Sequence, residues 1–290
     1  MTLLLEESVK FGVQGIFRGV GRPSEPWVPD IHDAMRLVRL VDNLGFDSMW
    51  VGDHVAFAVP ILDSITQLAW AAAQSDRLAF GTSIYLLPLR HPTPVAKQIA
   101  ALDHLCGGRL VFGVGVGGEF PGEFEACGVD VLKRGRLLDE GVGVLKKLWQ
   151  SGTVSHKGDF FSFSEVELLP APLQRGGPAI WCGGRSEAAL RRAGQLCDGY
   201  ISYVVTPKMF QSSMEKICVA AEAAGRHIQN YGTGHLLFPR IDDTYEQALD
   251  SASRSLSERY GMDFRRADEK YCALGSSADV AARISEYIEA

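Results

Sequence analysis

An aspartate and a histidine, Asp53 and His54, directly follow a short apolar run in the sequence WVGDH. Imidazole is the side chain whose ordinary pKa lies nearest neutrality, so His54 could give or take a proton at working pH. Asp53 could orient the histidine. A histidine at this place could equally cap the next loop, and this motif alone leaves both interpretations open.

Two more apolar runs end in residues suited to a site. In FGTSIYLLP, Gly81, Thr82 and Ser83 interrupt the run, which predicts a bulge, with a simple bend as the alternative. In GVGVGGEF, Glu119 follows the glycines directly. Its carboxyl group could protonate a ring nitrogen or orient a substrate, or it could be a solvated loop acid.

Residues 113–118 read GVGVGG and match the dinucleotide-binding pattern G-x-G-x-x-G. That fingerprint belongs to the first βα turn and opens directly into a helix. Here it follows the fourth expected strand, and Pro121 and Gly122 indicate that no helix begins at the glycines. We therefore expect the glycines to let the backbone approach a planar ligand, with glycine packing at a barrel strand as the alternative.

The sequence CGGRSEAALRRAG indicates a helix that begins at Ser186 and Glu187. Gly183 and Gly184 free the backbone just before it, and Arg185 lies beside its first turn. Bare N–H groups at a helix start, together with an arginine, favour an anion such as a cofactor phosphate. An ordinary N-cap would have the same sequence.

Short apolar runs alternate with longer amphipathic segments along the whole chain, which predicts parallel strands covered by helices. Seven such repeats favour a TIM-like (β/α)8 barrel, and since no linker divides residues 1–290 we expect one domain. The expected strands are 9–15, 46–53, 78–87, 109–116, 179–184, 198–204 and 231–239, and the expected helices are 30–44, 61–75, 92–106, 123–150, 186–196, 207–224, 244–260 and 276–288.

Residues 151–178 interrupt the repeat between the fourth and fifth strands. Their alternating segment FFSFSEVEL predicts a strand or hairpin, which could cover a site or act as a structural strap. The eighth strand of a closed barrel is expected after helix 276–288, where the sequence reaches Ala290. Either that strand is absent or one of the assignments is wrong.

The composition argues against several classes of protein. The 290 residues carry a net charge of −6 with no basic block, so no nucleic-acid partner is expected. The apolar runs are shorter than the roughly 20 residues that span a bilayer, and the early glutamates are unlike a signal peptide, so we expect a cytoplasmic protein without a membrane partner. Six scattered cysteines indicate reduced thiols, and the seven histidines lack metal-binding spacing.

Taken together, these stretches resemble the bacterial luciferase-like superfamily, particularly its F420-dependent branch. The matching segments are WVGDH (50–54), residues 80–130, RGRLLDE (134–140), residues 178–194 and DGYI (198–201). The resemblance implies a TIM-like barrel with an insertion before the fifth strand. It also implies a cofactor at the carboxyl ends of the strands and, commonly, a homodimer.

The resemblance assigns roles to single residues. It implies that His54 contacts the reactive edge of the cofactor ring beside Asp53, and that a non-prolyl cis peptide at Ser83–Ile84 supports the ring face. Because the loop has one additional glycine, Gly118, Glu119 lies one sequence position away from the family's catalytic acid. The other implied cofactor contacts are Val116, Gly117, Gly118, Gly183, Gly184, Arg185 and Ser186.

The resemblance also sets the expected chemistry. Gly-Asp-His after the second strand, instead of the Glu-His-His of many FMN monooxygenases, favours hydride transfer between a small organic substrate and coenzyme F420. An FMN-dependent monooxygenase is the alternative, and a non-catalytic flavin-binding barrel is the second alternative. Ala58 stands where sugar-phosphate dehydrogenases of the F420 branch have tryptophan, which argues against that substrate.

Overall fold

Short strands alternate with helices along the chain, of which the computed structural model describes residues 9–16, 29–57, 60–228, 230–260 and 263–290. Position 58, named above, lies outside these residues. The strands are β1 (Gly12–Gln14), β2 (Ser48–Val51), β3 (Ala79–Thr82), β4 (Leu110–Val114), β5 (Val154–Lys157), β6 (Ser162–Val166), β7 (Ala179–Gly183), β8 (Gly199–Tyr203), β9 (Gly232–Leu236), β10 (Pro239–Ile241) and β11 (Ala273–Gly275).

In the part of the chain that is described, seven strands form one parallel sheet in the order β1-β2-β3-β4-β7-β8-β9. Each strand pairs with the next one of the repeat, and the β5–β6 insertion stands outside the sheet. This sheet is the one expected from the alternating pattern, and the TIM-like α/β fold is confirmed.

Helices cover the outer face of the sheet with their apolar sides. Polar side chains cap the starts of several of them, because the first N–H groups of a helix have no partner within it. These N-cap residues are Asp30, Asp63, Ser186, Thr206 and Ser276. The helices are α1 (Ile31–Asn43), α2 (Ser64–Ala72), α3 (Pro92–Leu105), α4 (Pro121–Ala126), α5 (Arg134–Leu148), α6 (Glu187–Leu196), α7 (Pro207–Ala223), α8 (Tyr245–Tyr260), α9 (Arg265–Tyr271) and α10 (Ser277–Ile288).

Among the described residues no eighth strand joins the seven-stranded sheet after residues 276–288, but a short strand, β11, precedes that last helix. It pairs in parallel with β10, which begins after a gap of two residues beyond β9, and these two strands form a separate sheet. The three residues of β11 are buried against α8 together with Cys272. A three-residue strand between two helices is too short to show a period, which explains why the sequence pattern did not reveal it.

The helix expected over residues 123–150 is divided in two. Gly128 has a positive φ of 67° and ends the short helix α4, and a 3₁₀ turn at Val131–Lys133 leads into α5. The helix α4 also begins at Pro121, close behind the glycine loop. Proline is favoured in the first turn of a helix, so reading Pro121 as a bar to a helix start was incorrect.

Two tryptophans fill the inside of the curved sheet. The ring centroids of Trp50 and Trp181 are 5.6 Å apart. A Cβ atom at Gly81 would lie 2.3 Å from Trp50 Cζ3, and one at Gly232 would lie 2.3 Å from Trp181 Cζ2. Glycine at these strand positions therefore makes room for the rings, and the inside of the barrel is packed with side chains.

The insertion forms the expected hairpin, with β5 and β6 antiparallel. Glu140 of α5 accepts hydrogen bonds from the backbone N–H groups of residues 159–161 and contacts Nε2 of His156 at 3.2 Å. Burial alone would raise the pKa of Glu140, but these hydrogen bonds outweigh it and lower the pKa. These contacts tie the hairpin to a helix and favour the role of a structural strap.

Among the described residues, no helix is both long and apolar enough to cross a bilayer, and no cluster of metal-ligating side chains occurs. All six cysteines are free thiols in that part of the chain.

Candidate active site at the carboxyl ends of the strands

The carboxyl ends of β2, β3, β4 and β7 meet at one end of the barrel. Val51 pairs with Thr82, Val114 with Cys182 and Gly183 with Ile201, so the strands end at similar levels. Loops at this end of a parallel barrel form the active sites of TIM-barrel enzymes. The candidate residues after β2, β3, β4 and β7 all leave the sheet here.

Asp53 is buried and belongs to a network that supports this end of the barrel. Arg90 donates to both carboxylate oxygens, Ser64 Oγ donates to Oδ1 at 2.9 Å, and the Leu86 N–H donates to Oδ2 at 3.0 Å. The expectation that Asp53 orients His54 is corrected, because its carboxylate is turned to these partners. Asp53 instead connects the loop after β2 to the segment after β3.

Glu123 of α4 holds His54. Its Oε1 lies 2.7 Å from Nδ1 of His54, and its Oε2 accepts the Val55 N–H at 2.8 Å and the Ala56 N–H at 3.4 Å. The Glu123 side chain is 2% exposed, whereas that of His54 is 21% exposed. The sequence reading missed Glu123. It stands in the matching segment 80–130, but nothing in its spacing relates it to His54, which is 69 positions away.

Two phenylalanines enclose the imidazole. The Phe57 ring stacks on His54 with centroids 4.0 Å apart and planes 7° from parallel, and the Phe120 ring meets His54 edge-on at 5.6 Å. The two phenylalanine rings are 4.7 Å apart. A histidine that is stacked and hydrogen-bonded in this way has a fixed ring orientation, with one edge left accessible.

The expected bulge after β3 is present. The Ser83–Ile84 peptide bond is cis, as the resemblance implied. The Ser83 N–H donates to the Val51 oxygen at 2.7 Å, and the Ser83 oxygen accepts from Gln14 Nε2 at 2.9 Å. Gln14 thus contributes a polar side chain of β1 to this end of the barrel, which sequence reasoning did not single out.

The glycines at the end of β4 and in the loop after it serve two purposes. A Cβ atom at Gly113 would lie 2.0 Å from the Thr82 oxygen, and one at Gly115 would lie 1.7 Å from Ile84 Cδ1. For these two glycines the packing alternative is the correct one, because they make room for the bulge and not for a ligand. Gly117 and Gly118 have φ values of 58° and 107° and turn the chain.

Gly183 also faces Ile84, since a Cβ there would lie 2.5 Å from Ile84 Cγ2. Gly184 has a φ of 123°, and Ser186 accepts a hydrogen bond from the Ala189 N–H as an ordinary N-cap. The exposed Arg185 donates to the Val204 oxygen at 3.2 Å and lies over the ring of Tyr203. The start of α6 therefore has the geometry of a normal capped helix, with an arginine beside it.

Glu119 is exposed and lies next to the loop after β8. Its Oε1 accepts a hydrogen bond from the Tyr203 hydroxyl at 2.9 Å. The structure therefore links Glu119 to Tyr203 and Arg185, and links His54 to Glu123. The two candidate catalytic side chains belong to separate groups of contacts at the same end of the barrel.

The residues present fit a flat ring system. A Cβ atom at Gly52 would lie 3.8 Å from Gln14 Nε2 and 3.9 Å from the Ser83 oxygen, which are ordinary van der Waals distances, so the backbone at Gly52 is not crowded by the bulge. The side chains of Ile84 and Val116 are half-buried near it. A polar amide, an apolar surface and a histidine are groups suited to holding a flavin or deazaflavin.

A buried polar atom lies beneath the glycine loop. In the described residues Arg134 Nε has no hydrogen-bond partner, and a Cβ atom at Gly118 would lie 2.8 Å from it. Arg134 Nη1 donates to the Val131 oxygen at 2.7 Å. A positive charge is thus held directly behind the loop that contains Val116, Gly117 and Gly118.

The fold and the site together define a parallel α/β barrel with a braced histidine at the carboxyl ends of its strands. A family model described as luciferase-like monooxygenase matches residues 9–290. The chain therefore belongs to the luciferase-like monooxygenase family, which confirms the expected resemblance and the expectation of an enzyme of this group.

Curated relatives carry the names of monooxygenases. Limonene 1,2-monooxygenase of Rhodococcus erythropolis is 32% identical over 61% of this chain and 45% of its own length. Sulfoquinovose monooxygenase of Agrobacterium fabrum is 30% identical over 85% of this chain and 62% of its own length. The chain thus spans less than two thirds of the length of either relative.

Solved structures share the fold. A monooxygenase of Streptomyces bottropensis superposes with a TM-score of 0.82 at 26% identity, covering 96% of this chain and 88% of its own. An F420-dependent secondary alcohol dehydrogenase, solved with an F420–acetone adduct, superposes with a TM-score of 0.80 at 19% identity, covering 97% and 91%. The second likeness shows the fold alone.

Proposed function

We propose that this chain is an FMN-dependent monooxygenase that acts on a small organic substrate. The observation that carries the proposal is His54, whose ring is braced by Glu123 and Phe57 at the carboxyl ends of the strands. Family membership and relatives that are at least 30% identical and named monooxygenases support a reaction with oxygen.

When bound, reduced FMN would supply the electrons for activating oxygen. The Ser83–Ile84 bulge and the Ile84 side chain would support one face of the ring, and Gln14 Nε2 and Val116 would line its edge. Asp53 keeps the bulge in place through the Leu86 N–H.

His54 would accept or return a proton at Nε2, the nitrogen that Glu123 leaves unoccupied. Phe57 and Phe120 shield this imidazole and exclude water from one side of the site. On the other side, Glu119 and Tyr203 offer hydrogen-bonding groups to a substrate. Arg185 and Ser186 at the start of α6, with Gly183 and Gly184 before them, would face the phosphate end of the cofactor.

A titration with FMN and with coenzyme F420, followed by absorbance and fluorescence, tests the proposal. We expect FMN to bind, and the enzyme with reduced FMN to hydroxylate or oxygenate members of a panel of small ketones, sulfones and terpenes. A His54→Asn variant should bind FMN but lose about 100-fold or more in turnover. A chain that binds neither cofactor would contradict the proposal.

A second candidate is F420-dependent hydride transfer, which the sequence Gly52-Asp53-His54 favours. In this reaction His54 would manage the proton of a substrate alcohol or ketone while the cofactor carries the hydride. Tight binding of F420 with quenching of its fluorescence, and no binding of FMN, would select this candidate. Oxygen consumption coupled to product formation would select the monooxygenase.

The remaining proposals concern the setting of the reaction. One domain formed by residues 1–290, a homodimer and a cytoplasmic location are consistent with the family resemblance and with free cysteines. Light scattering on the purified chain measures the oligomeric state directly, and limited proteolysis tests whether the chain is one domain.

A further inference from the structure

Glu123 is the group around which the loop after β2 is arranged. One oxygen of its buried carboxylate, Oε1, lies against Nδ1 of His54. The other, Oε2, accepts hydrogen bonds from the N–H groups of Val55 and Ala56. A buried carboxylate needs such donors, because an unpaired charge away from water is costly. The loop is therefore folded onto α4 by one side chain.

The division of the contacts determines where the histidine proton lies. A carboxylate accepts hydrogen bonds and cannot donate them, so Nδ1 of His54 must carry the hydrogen of their 2.7 Å contact. Neutral imidazole has a single N–H. With that hydrogen on Nδ1, Nε2 presents a lone pair.

We infer that Glu123 is a positioning residue that keeps the hydrogen of neutral His54 on Nδ1, so that Nε2 serves as a proton acceptor toward the site. The catalytic meaning of this arrangement rests on the proposed function, whereas the arrangement itself does not. Phe57 strengthens it, because the stacked ring opposes rotation of the imidazole that would bring Cδ2 to the place of Nδ1 opposite Glu123.

The substitution Glu123→Gln tests the inference sharply. The amide has one accepting oxygen and one donating NH₂ group. Val55 and Ala56 both present N–H donors on one side, so the amide oxygen must face them. The NH₂ group then faces Nδ1 of His54, which must become an acceptor, and the hydrogen moves to Nε2.

The measurement is long-range ¹H–¹⁵N NMR on the full chain with ¹⁵N-labelled histidine, at about pH 8.5, roughly two units above the ordinary pKa of imidazole. The signals of His54 are assigned by their loss in His54→Asn. We expect the wild type to be mostly Nδ1–H and Glu123→Gln to be mostly Nε2–H. Glu125→Gln is the matched control, because Glu125 is exposed on the same helix, and it should leave the wild-type spectrum unchanged.

Two results would overturn the inference. One is a wild type that is mostly Nε2–H, which a protonated Glu123 donating to Nδ1 would produce, and this result needs no variant. The other is a folded Glu123→Gln protein whose His54 keeps its hydrogen on Nδ1. An FMN titration of the same samples separates the two proposals, since a chain that binds no cofactor loses the proposed function while the NMR result still decides the role of Glu123.

Discussion

The carboxylate of Asp53 and the guanidinium of Arg90 form a buried ion pair under the candidate site. The Asp53 side chain is fully buried, and Arg90 also lies over the ring of Tyr85, 4.5 Å from its centroid. Burial raises the pKa of the Tyr85 hydroxyl far above its ordinary value. This pair joins the loop after β2 to the segment after β3. His54 is held by Glu123 and not by Asp53.

Replacing Asp53 by Asn should therefore lower the free energy of unfolding by about 3 kcal/mol, because Arg90 would lose its charged partner inside the protein. Asp63→Asn is the matched control. Its carboxylate is half-exposed and 4.0 Å from Arg90, and asparagine also caps helices well, so the loss should stay below about 1 kcal/mol. Urea unfolding of the two variants measures the difference, and equal losses would argue against a buried pair.

His235 is a second histidine at the end of a strand, but it lies outside the candidate site. Its Nδ1 is 2.8 Å from Ser202 Oγ, its ring stacks on Tyr287 at 4.1 Å, and its Nε2 has no partner in the described residues. Burial and the nearby charge of Arg283 lower the pKa of His235 to about 4. It is a half-buried histidine, and its lowered pKa favours the neutral form at pH 7.

This lowered pKa predicts how stability depends on pH. Between the ordinary pKa of 6.5 and about 4 the unfolded chain binds the proton more readily than the folded one, so acid favours unfolding. From pH 7 to pH 5 the wild type should lose about 1–2 kcal/mol more stability than His235→Gln. Urea unfolding at both pH values provides the comparison. The exposed His227 offers a control, and His227→Gln should keep the wild-type dependence.

The bulge after β3 and the loop after β4 are packed as one unit. Ile84 occupies the space that side chains at positions 115 and 183 would fill. Gly115 is thus explained by the neighbouring bulge, whereas Gly117 and Gly118 are explained by their positive φ angles. A motif that resembles a nucleotide fingerprint arises here from local packing and from a turn of the chain.

A methyl group at position 115 should collide with Ile84 Cδ1, so Gly115→Ala should cost about 2 kcal/mol and weaken FMN binding by moving the bulge. In an Ile84→Ala background most of this cost should disappear, which a double-mutant cycle measures as a coupling energy. Gly143→Ala in the middle of α5 has nothing within 4 Å and should instead add about 0.5–1 kcal/mol. The absence of coupling would contradict the assigned contact.

The local elements show what a sequence can reveal about a site. Asp53, His54 and the bulge at Ser83 were found because each directly follows an apolar run, and a parallel barrel brings such positions together. The role of Asp53 was misjudged, since its partner Arg90 is 37 positions away. Glu123 was missed for the same reason, because pairing across loops depends on the three-dimensional arrangement and leaves no periodic signal.

Binding of the cofactor should stabilise the entire barrel, since the proposed site draws on β1, β2, β3, β4 and β7. A ligand present at about 100 times its Kd adds about 2.7 kcal/mol to the free energy of unfolding. For a chain of 290 residues this corresponds to a rise in Tm of about 4–5 °C. Thermal unfolding with FMN, with F420 and with adenosine monophosphate as a phosphate-bearing control should show this rise with FMN alone. A rise with F420 alone would favour the second candidate.

The alternation of apolar and amphipathic segments predicted the parallel sheet and its seven strands, because burial on both faces leaves a strong signal in the sequence. The short strand β11 was not predicted, since it has three residues between two helices. The break between α4 and α5 was missed because it depends on one glycine, Gly128, with a positive φ inside an otherwise helical pattern. Short elements and single backbone angles are the features that composition and period do not report.

The tryptophan pair on the inner face of the sheet affects how a ligand can reach and leave the candidate site. Trp50 and Trp181 pack together on the inner face of the sheet, and their rings fill the space beside the strand glycines Gly81 and Gly232. We therefore expect a ligand of the candidate site to enter and leave from the carboxyl ends of the strands. If the proposed cofactor lies deeper than the substrate, its exchange should wait until the product has left.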